Sequence, residues 1–312
     1  MYLGNLLRSK TFLLMSILMI SHIGIGHAMM ETKKELLSEH LSHIVGERSA
    51  GFSDKHLNEV ASYIESAFKK LGYEIEHHNF ELSGEKFQNI VARKKGLKSD
   101  GRIIIAAHFD SVPDSPGADD NASGVAVMLE AARILADHSW NYTVEFIGFH
   151  MEEWGMIGSE AYVQNLKKNK VAVRGMISLE MVGYTSNEPK SQNLPLGFSL
   201  FYPNVGNFIG IVSNLKSVRL LNTFKENMKS IPDLPLESLI LPMNGLILPA
   251  VRLSDHSPFW DAGYQALLIT DTSFYRNPNY HSSSDTIETL NIEFMKKVSD
   301  GVIKSLIALD QT

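Results

Sequence analysis

The stretch that most constrains this chain is Ile103–Gly124, which reads IIIAAHFDSVPDSPGADDNASG. Five apolar residues end at His108, and Asp110 follows two positions later. A loop rich in Pro and Gly then carries Asp120, and an alanine-rich helical pattern begins at Gly124. This order of strand, loop and helix is typical of an α/β fold, in which functional side chains gather at the carboxyl ends of the strands.

Strand and helix patterns alternate on both sides of this stretch. Period-2 alternation and short apolar runs predict strands at 73–82, 88–93, 102–107, 143–149 and 175–181. Helical spacing of apolar residues predicts helices at 31–45, 53–71, 124–136 and 158–168. Strands that alternate with helices predict an α/β fold, a three-layer αβα sandwich around a mixed, mostly parallel sheet.

The periodicity weakens across 184–250. Short strands are predicted at 198–202 and 208–213 and a helix at 215–229, while four prolines in 231–249 favour a surface loop. Regular patterns return with a strand at 265–270 and a terminal helix at 292–309. We therefore expect one domain over 29–312, with an elaborated segment at about 184–250 on the substrate side.

Residues 1–28 have the pattern of a secretory signal peptide. Arg8 and Lys10 precede a mostly apolar run over 12–25, and small residues end at Ala28, where cleavage is expected. The alternative is an uncleaved membrane anchor, but the run is shorter than the roughly 20 residues of a spanning helix. The sequence thus predicts a secreted or periplasmic protein with no stable membrane association after cleavage.

Composition limits the chemistry that is available. The chain has no cysteine, so any metal site must use histidine and carboxylate ligands. Residues 1–28 hold two of the 29 basic residues and no acid, which leaves 27 basic against 35 acidic residues and a formal charge of −8. No basic stripe suited to nucleic acid is present in the sequence.

Each predicted core strand ends in residues of metal-ligand type. His108, the pair Glu152-Glu153 and Glu180 follow three of these strands, and His281 comes eleven residues after Thr270, the end of a fourth. Because neighbouring strands lie about 4.8 Å apart, their end residues can converge on one point. Two metals about 3.5–4 Å apart need a bridging carboxylate, and one further carboxylate should remain free to act as a base.

Five separated motifs occur in an order that resembles one known family. They are HFD, GADDNASG, MEEWGMIGSEAY, LEMVGY and DTSFYRNPNYHSSSDT. This set resembles the M28 family of zinc aminopeptidases, and in particular its secreted bacterial di-zinc members, over about residues 85–300. The resemblance implies two zinc ions per chain and peptide substrates with a free N-terminus.

The resemblance also implies a ligand set. Asp120 would bridge the two zinc ions, His108 and Glu180 would hold one of them, and Glu153 and His281 would hold the other. Many relatives carry Asp where this chain carries Glu180, whose longer side chain can still bind metal.

Further roles follow from the same resemblance. Glu152 would be the general base, and Asp110 would orient His108 through its second ring nitrogen. Tyr280 would donate a hydrogen bond to the developing oxyanion, with a packed aromatic ring as the alternative. The family pattern also implies a cis peptide bond at Asp120–Asn121.

These features favour hydrolysis of an N-terminal peptide bond over three alternatives. A glutaminyl cyclase would use the same fold with one zinc, and a metallocarboxypeptidase or another amidohydrolase would need different substrate termini. A non-catalytic binding module would be expected to lose ligand positions, and none is lost here. An apolar bias at the N-terminal residue is expected if residues of the elaborated segment wall its pocket: Phe201, Tyr202, Met243, Leu246 and Ile247.

Several other histidines are predicted to have no ligand role. His150 should pack beneath the site, and His78 lies in a polar pattern typical of the surface. His256 is predicted to lie at the surface or beside the substrate.

Overall fold

The structure is a computed structural model that describes residues 31–98 and 101–312. The predicted signal peptide, 1–28, lies outside the described residues. Within the described ranges, no helix combines the length and the apolar character needed to cross a bilayer.

Eight strands and seven α-helices make up the described part of the chain. The strands are β1 Glu74–Leu82, β2 Glu85–Lys94, β3 Arg102–His108, β4 Thr143–Phe149, β5 Val173–Glu180, β6 Ile209–Asn214, β7 Leu236–Leu241 and β8 Ala266–Thr270. The helices are α1 Lys34–Ile44, α2 Asp54–Lys70, α3 Gly124–Ile134, α4 Ile157–Lys168, α5 Val218–Met228, α6 His256–Asp261 and α7 Ile292–Asp310.

All eight strands form one mixed sheet in the order β1-β2-β4-β3-β5-β8-β6-β7. The four central strands, β4, β3, β5 and β8, are parallel to one another. Antiparallel pairs join β1 to β2, β2 to β4 and β6 to β8. The carboxyl ends of four adjacent strands therefore meet at one edge, which is where parallel α/β sheets place their sites.

Helices cover both faces of the sheet. One face packs on α1, α2, α3, α5 and α7, with buried residues such as Val60, Val125 and Phe224. The other face packs on α4 and α6, with Tyr162 and Phe259 buried between them and the sheet. Strand β3 is buried along nearly its whole length, as its continuous apolar run predicts. The predicted α/β sandwich is confirmed.

Two predictions in the irregular segment were wrong. The expected strand at 198–202 is a short 3-10 helix, Phe198–Leu200. The expected loop over 231–249 contains β7, which extends the sheet beside β6. Pro235 and Pro242 flank this strand and remove no hydrogen bond from its interior, so the prolines mark its ends at the sheet edge. Helix α6 was not predicted, because its six residues are too few to show a helical period.

Candidate metal centre

The first half of the candidate site is centred on His108, the last residue of β3. Its Nε2 lies 3.3 Å from Asp120 Oδ1 and 3.4 Å from Glu180 Oε2. Glu180 ends β5, the strand beside β3, and its Oε2 accepts a hydrogen bond of 2.9 Å from the Ser254 hydroxyl. All three side chains are almost fully buried. His108 and Glu180 of this group are therefore placed by strand ends, and Asp120 reaches them from the loop that follows β3.

The second half is centred on His281, in the loop that follows β8. Its Nε2 lies 3.2 Å from Asp120 Oδ2 and 3.2 Å from Glu153 Oε2. Asp120 thus directs one carboxylate oxygen at each histidine. Glu153 Oε1 is buried without a hydrogen-bond partner. A buried carboxylate oxygen with no donor is costly unless a cation faces it, so this observation fits a metal site.

Glu152 lies between these groups and the adjoining cavity. Its Oε2 is 3.9 Å from His108 Nε2, and the residue is only 9% exposed. Burial, reinforced by the Glu180 carboxylate, raises the pKa of Glu152 well above its ordinary value. A carboxyl group with a raised pKa, placed beside the site, suits proton transfer near neutral pH.

Asp110 connects His108, at the end of β3, with Glu152, in the segment that follows β4. Its carboxylate accepts hydrogen bonds of 3.2 Å from the backbone N–H groups of Glu152 and Glu153. Its Oδ1 also lies 3.5 Å from His108 Nδ1, the ring nitrogen opposite the one that faces Asp120. Burial opposes the charge on Asp110, yet His108 outweighs it and lowers the pKa of this carboxyl group. Asp110 therefore positions both neighbours as an ionised group.

The loop around Asp120 is fixed by hydrogen bonds from several elements. The peptide bond Asp120–Asn121 is cis, as the resemblance implied. The Asn121 amide donates 2.8 Å to Leu179 O and accepts 3.1 Å from the Met181 N–H, which joins this loop to the end of β5. The Asp285 carboxylate accepts a hydrogen bond of 3.1 Å from the backbone N–H group of Asp120.

The charges of the cluster are unbalanced without a cation. Burial raises the pKa of Glu153 to about 7, and the neighbouring Asp120 carboxylate adds to this shift. Burial opposes the charged form of His281, but hydrogen bonds to Asp120 and Glu153 raise its pKa to about 10. The same opposition holds for His108, whose pKa the Glu180 carboxylate raises well above its usual value. The raised pKa values mean that protons would neutralise the buried carboxylates in the absence of metal. A divalent ion would take the place of these protons.

Comparison with known proteins identifies the family. The profile described as "Peptidase family M28" matches residues 89–306. The chain belongs to peptidase family M28. The resemblance read from the motifs is thereby confirmed, and with it the prediction of an enzyme that hydrolyses peptide bonds.

Two curated relatives are similar in sequence to most of this M28 chain. It is 36% identical over 294 residues to "Uncharacterized protein YfbL" of Escherichia coli, which covers 90% of this chain and 88% of that protein. It is 31% identical over 225 residues to "Aminopeptidase YwaD" of Bacillus subtilis, over 70% of this chain and 44% of the relative. The chain thus spans about half the length of the curated aminopeptidases it matches.

Solved structures share the M28 fold at low sequence identity. The Legionella pneumophila LapA aminopeptidase has a TM-score of 0.74 and 22% identity, over 93% of this chain and 75% of that one. A Porphyromonas gingivalis glutaminyl cyclase has a TM-score of 0.64 and 17% identity, over 88% of this chain and 96% of that one. Both likenesses support the fold, and the presence of the cyclase shows that this fold by itself does not select one reaction.

Tyr280 packs directly on the His281 ring of the M28 site. Their ring centroids are 3.7 Å apart and the planes differ by 18°. Burial raises the pKa of the Tyr280 phenol, so it stays protonated at neutral pH. Tyr280 also lines the cavity beside Glu152 and Glu153. Its hydroxyl can thus serve as a donor at the site, while its ring supports His281.

An apolar trough adjoins the metal centre. Its walls include Phe198, Tyr202, Val212, Leu239, Val251 and Leu268. Among the five residues predicted to wall a pocket, Tyr202 does so, whereas the others lie outside the trough and are exposed by 59–80%: Phe201, Met243, Leu246 and Ile247. The sequence could not separate them, because apolar residues of one irregular segment show no period that assigns their direction.

Sequence reasoning also missed the buried supports of the site. Arg48, fully buried, donates to the backbone carbonyls of Phe109, Pro116 and Gly117 and so fixes the loop before Asp120. It lies in a short connection after α1 that carries no motif, so nothing in the sequence indicated this role.

Three histidines have environments that bear on the predictions. His150 is buried and stacks on Phe87, as expected of a packed residue. His78 and His256 are also buried, so the surface position expected for His78 was wrong, and so was the surface alternative for His256. His256 sits at the start of α6, the helix that was not predicted, with its Nε2 2.9 Å from Val251 O.

Proposed function

We propose that this chain is a secreted di-zinc aminopeptidase that removes N-terminal residues from peptides. The observation that carries the proposal is the position of Asp120, whose two oxygens face two separate histidine-centred groups. Family membership and the curated relatives named aminopeptidase support the reaction class. The basic and apolar pattern of residues 1–28 supports secretion.

The residues present fit two zinc ions. One would be held by His108, Glu180 and Asp120, and the other by His281, Glu153 and Asp120. These are nitrogen and oxygen ligands of the kind that zinc accepts. When bound, zinc lowers the pKa of water and polarises the scissile carbonyl group.

Glu152 is the general base in this proposal. Its carboxylate takes a proton from the attacking water, which then adds to the carbonyl carbon of the scissile bond. The protonated Glu152 next donates that proton to the leaving amine as the C–N bond breaks, which restores the carboxylate. Its raised pKa favours the first of these transfers, because it makes the Glu152 carboxylate a stronger base.

Substrate groups are placed by the remaining side chains. The phenol of Tyr280 donates a hydrogen bond to the oxyanion that forms when water adds. The free α-amino group of the substrate can carry a positive charge and donate hydrogen bonds. It docks among the acidic residues of the site. Because an acylated terminus lacks that charge, the arrangement favours exopeptidase action on free N-termini.

The deciding experiment combines metal analysis with paired substrates. The purified protein should contain two zinc ions per chain and should hydrolyse leucine p-nitroanilide but not its N-acetyl derivative. One zinc ion per chain together with cyclisation of N-terminal glutamine would replace the proposal with a glutaminyl cyclase. Preferential release of C-terminal residues would replace it with a carboxypeptidase.

A further inference from the structure

Four strands place a row of residues along the floor of the apolar trough. Glu180 of β5 is paired with Thr270 of β8, Thr270 with Gly210 of β6, and Gly210 with Glu237 of β7. Residues paired directly across strands point to the same face of a sheet. The row therefore begins at a carboxylate of the metal centre and ends at a second carboxylate.

The row leaves open space above the sheet at Gly210. Gly210 has no side chain, and a Cβ atom there would lie 3.2 Å from the carbonyl oxygen of Thr270. Three strand spacings of about 4.8 Å separate the backbone of Glu180 from that of Glu237, a span of about 14 Å. An extended side chain can lie along such a floor, from the metal centre toward Glu237.

The walls beside the row are apolar. The next residues of the same face are Leu268, Val212 and Leu239, which are also paired with one another across β8, β6 and β7. Phe198 and Tyr202 line the trough from the irregular segment. Such walls favour the methylene groups of a long side chain.

Glu237 has no cationic partner among the described residues. It is half-buried, it makes no ion pair within 4.0 Å, and the lining of the trough includes no lysine, arginine or histidine. The nearby ammonium group of Lys225 instead donates 2.8 Å to the hydroxyl of Ser238, whose side chain alternates to the opposite face of β7. The carboxylate of Glu237 is thus left for a ligand.

We propose that this trough makes the enzyme selective for N-terminal arginine and lysine, an inference that rests on the aminopeptidase function proposed above. The apolar stem of either side chain packs over Gly210 and between the walls, and its cation pairs with Glu237. A leucine side chain is too short to reach Glu237. A longer apolar side chain would remove water from that carboxylate without supplying a partner.

The test compares substrates with and without a positive charge on the side chain. The purified zinc-loaded protein is assayed with the p-nitroanilides of arginine, citrulline, lysine, norleucine and leucine. Citrulline is the neutral counterpart of arginine. We expect kcat/KM for arginine to exceed that for citrulline by about tenfold or more, as a hydrogen-bonded charge pair predicts.

Variants then assign the preference to the trough. Glu237→Gln should reduce the arginine-to-citrulline ratio to near one, whereas Glu85→Gln, the same change at an exposed position of β2 on the opposite half of the sheet, should leave it unchanged. Gly210→Val should weaken hydrolysis of arginine and norleucine substrates together by filling the floor.

Each outcome is decisive. An arginine-to-citrulline ratio near one in the unaltered enzyme, or a ratio that survives Glu237→Gln, overturns the selectivity while leaving the aminopeptidase function in place. Absence of hydrolysis across the whole panel instead refutes the aminopeptidase function, and the selectivity with it. The ratio in the unaltered enzyme tests the proposal even if a variant fails to fold.

Discussion

The two histidine-centred halves of the site share Asp120 but are built differently. The His108 side chain is 1% exposed, ends a central strand and lies against Asp110. The His281 side chain is 36% exposed, lies in a loop with φ of 54°, and is supported mainly by the stacked ring of Tyr280. One half is thus anchored mainly by strand ends, while the other depends on a loop residue that is exposed to solvent.

This asymmetry has a consequence for metal exchange. A site whose ligands are fixed by buried hydrogen bonds releases its ion slowly, and a site with a solvent-accessible ligand exchanges it more readily. We therefore expect the His108 half to hold zinc more tightly than the His281 half.

Glu152→Gln should reduce kcat by about 10²–10⁴-fold, the contribution typical of general acid–base catalysis. Both metal halves should keep their zinc, because Glu152 belongs to neither ligand set in our proposal. Steady-state kinetics and metal analysis on the same sample check both points. Turnover near that of the unaltered enzyme would remove Glu152 from the role of base.

Removing each histidine separately should reveal the asymmetry of the site. After dialysis, His281→Ala should retain about one zinc ion per chain, because the buried half remains intact. His108→Ala should retain less than His281→Ala. Glu180 and Asp120 then lose the nitrogen ligand that fixes their ion, and only the more exposed half remains. Equal zinc content in the two variants would show that the difference in burial does not control affinity.

Asp110→Asn should weaken zinc binding at the His108 half by roughly 10- to 100-fold, the usual cost of losing the group that orients a metal-binding histidine. The His281 half, which Asp110 contacts only through the backbone N–H group of Glu153, should be affected less. Competition with a chromophoric chelator resolves the two affinities. A uniform loss at both halves would mean that Asp110 supports the whole edge of the sheet through Glu152 and Glu153.

Tyr280→Phe should have the smallest effect, a decrease in kcat of about tenfold or less with KM little changed. The ring that supports His281 remains, and only one oxyanion donor is lost. Zinc content should therefore stay at that of the unaltered enzyme. A Tyr280→Ala variant that loses zinc from the His281 half would separate the packing role of the ring from the role of its hydroxyl.

Much of the fold could be predicted because its strands and helices carry strong local patterns. The continuous apolar run of β3 and the helical spacing of α3 both appear in the structure close to their predicted bounds. Strand β7 and helix α6 were harder to predict, because β7 lies between prolines and α6 is only six residues long. Short elements whose stability comes from packing leave little trace in a local pattern.

The candidate site likewise has some residues that could be predicted from the sequence and others that could not. His108, Glu152 and Glu180 follow strongly patterned strands, so their meeting at one edge could be expected from topology. Arg48 and Ser254 support that edge from segments without a motif, and their contacts appear only in three dimensions.

Residue type and order along the chain were enough to predict the family, the α/β class and the side chains proposed to hold metal. Only the folded chain shows that Glu237 shares a row with Glu180, that His281 is the exposed half of the site, and which apolar residues line the trough. These properties depend on the register between strands far apart in the chain, and register is fixed by packing of the whole sheet rather than by any local pattern.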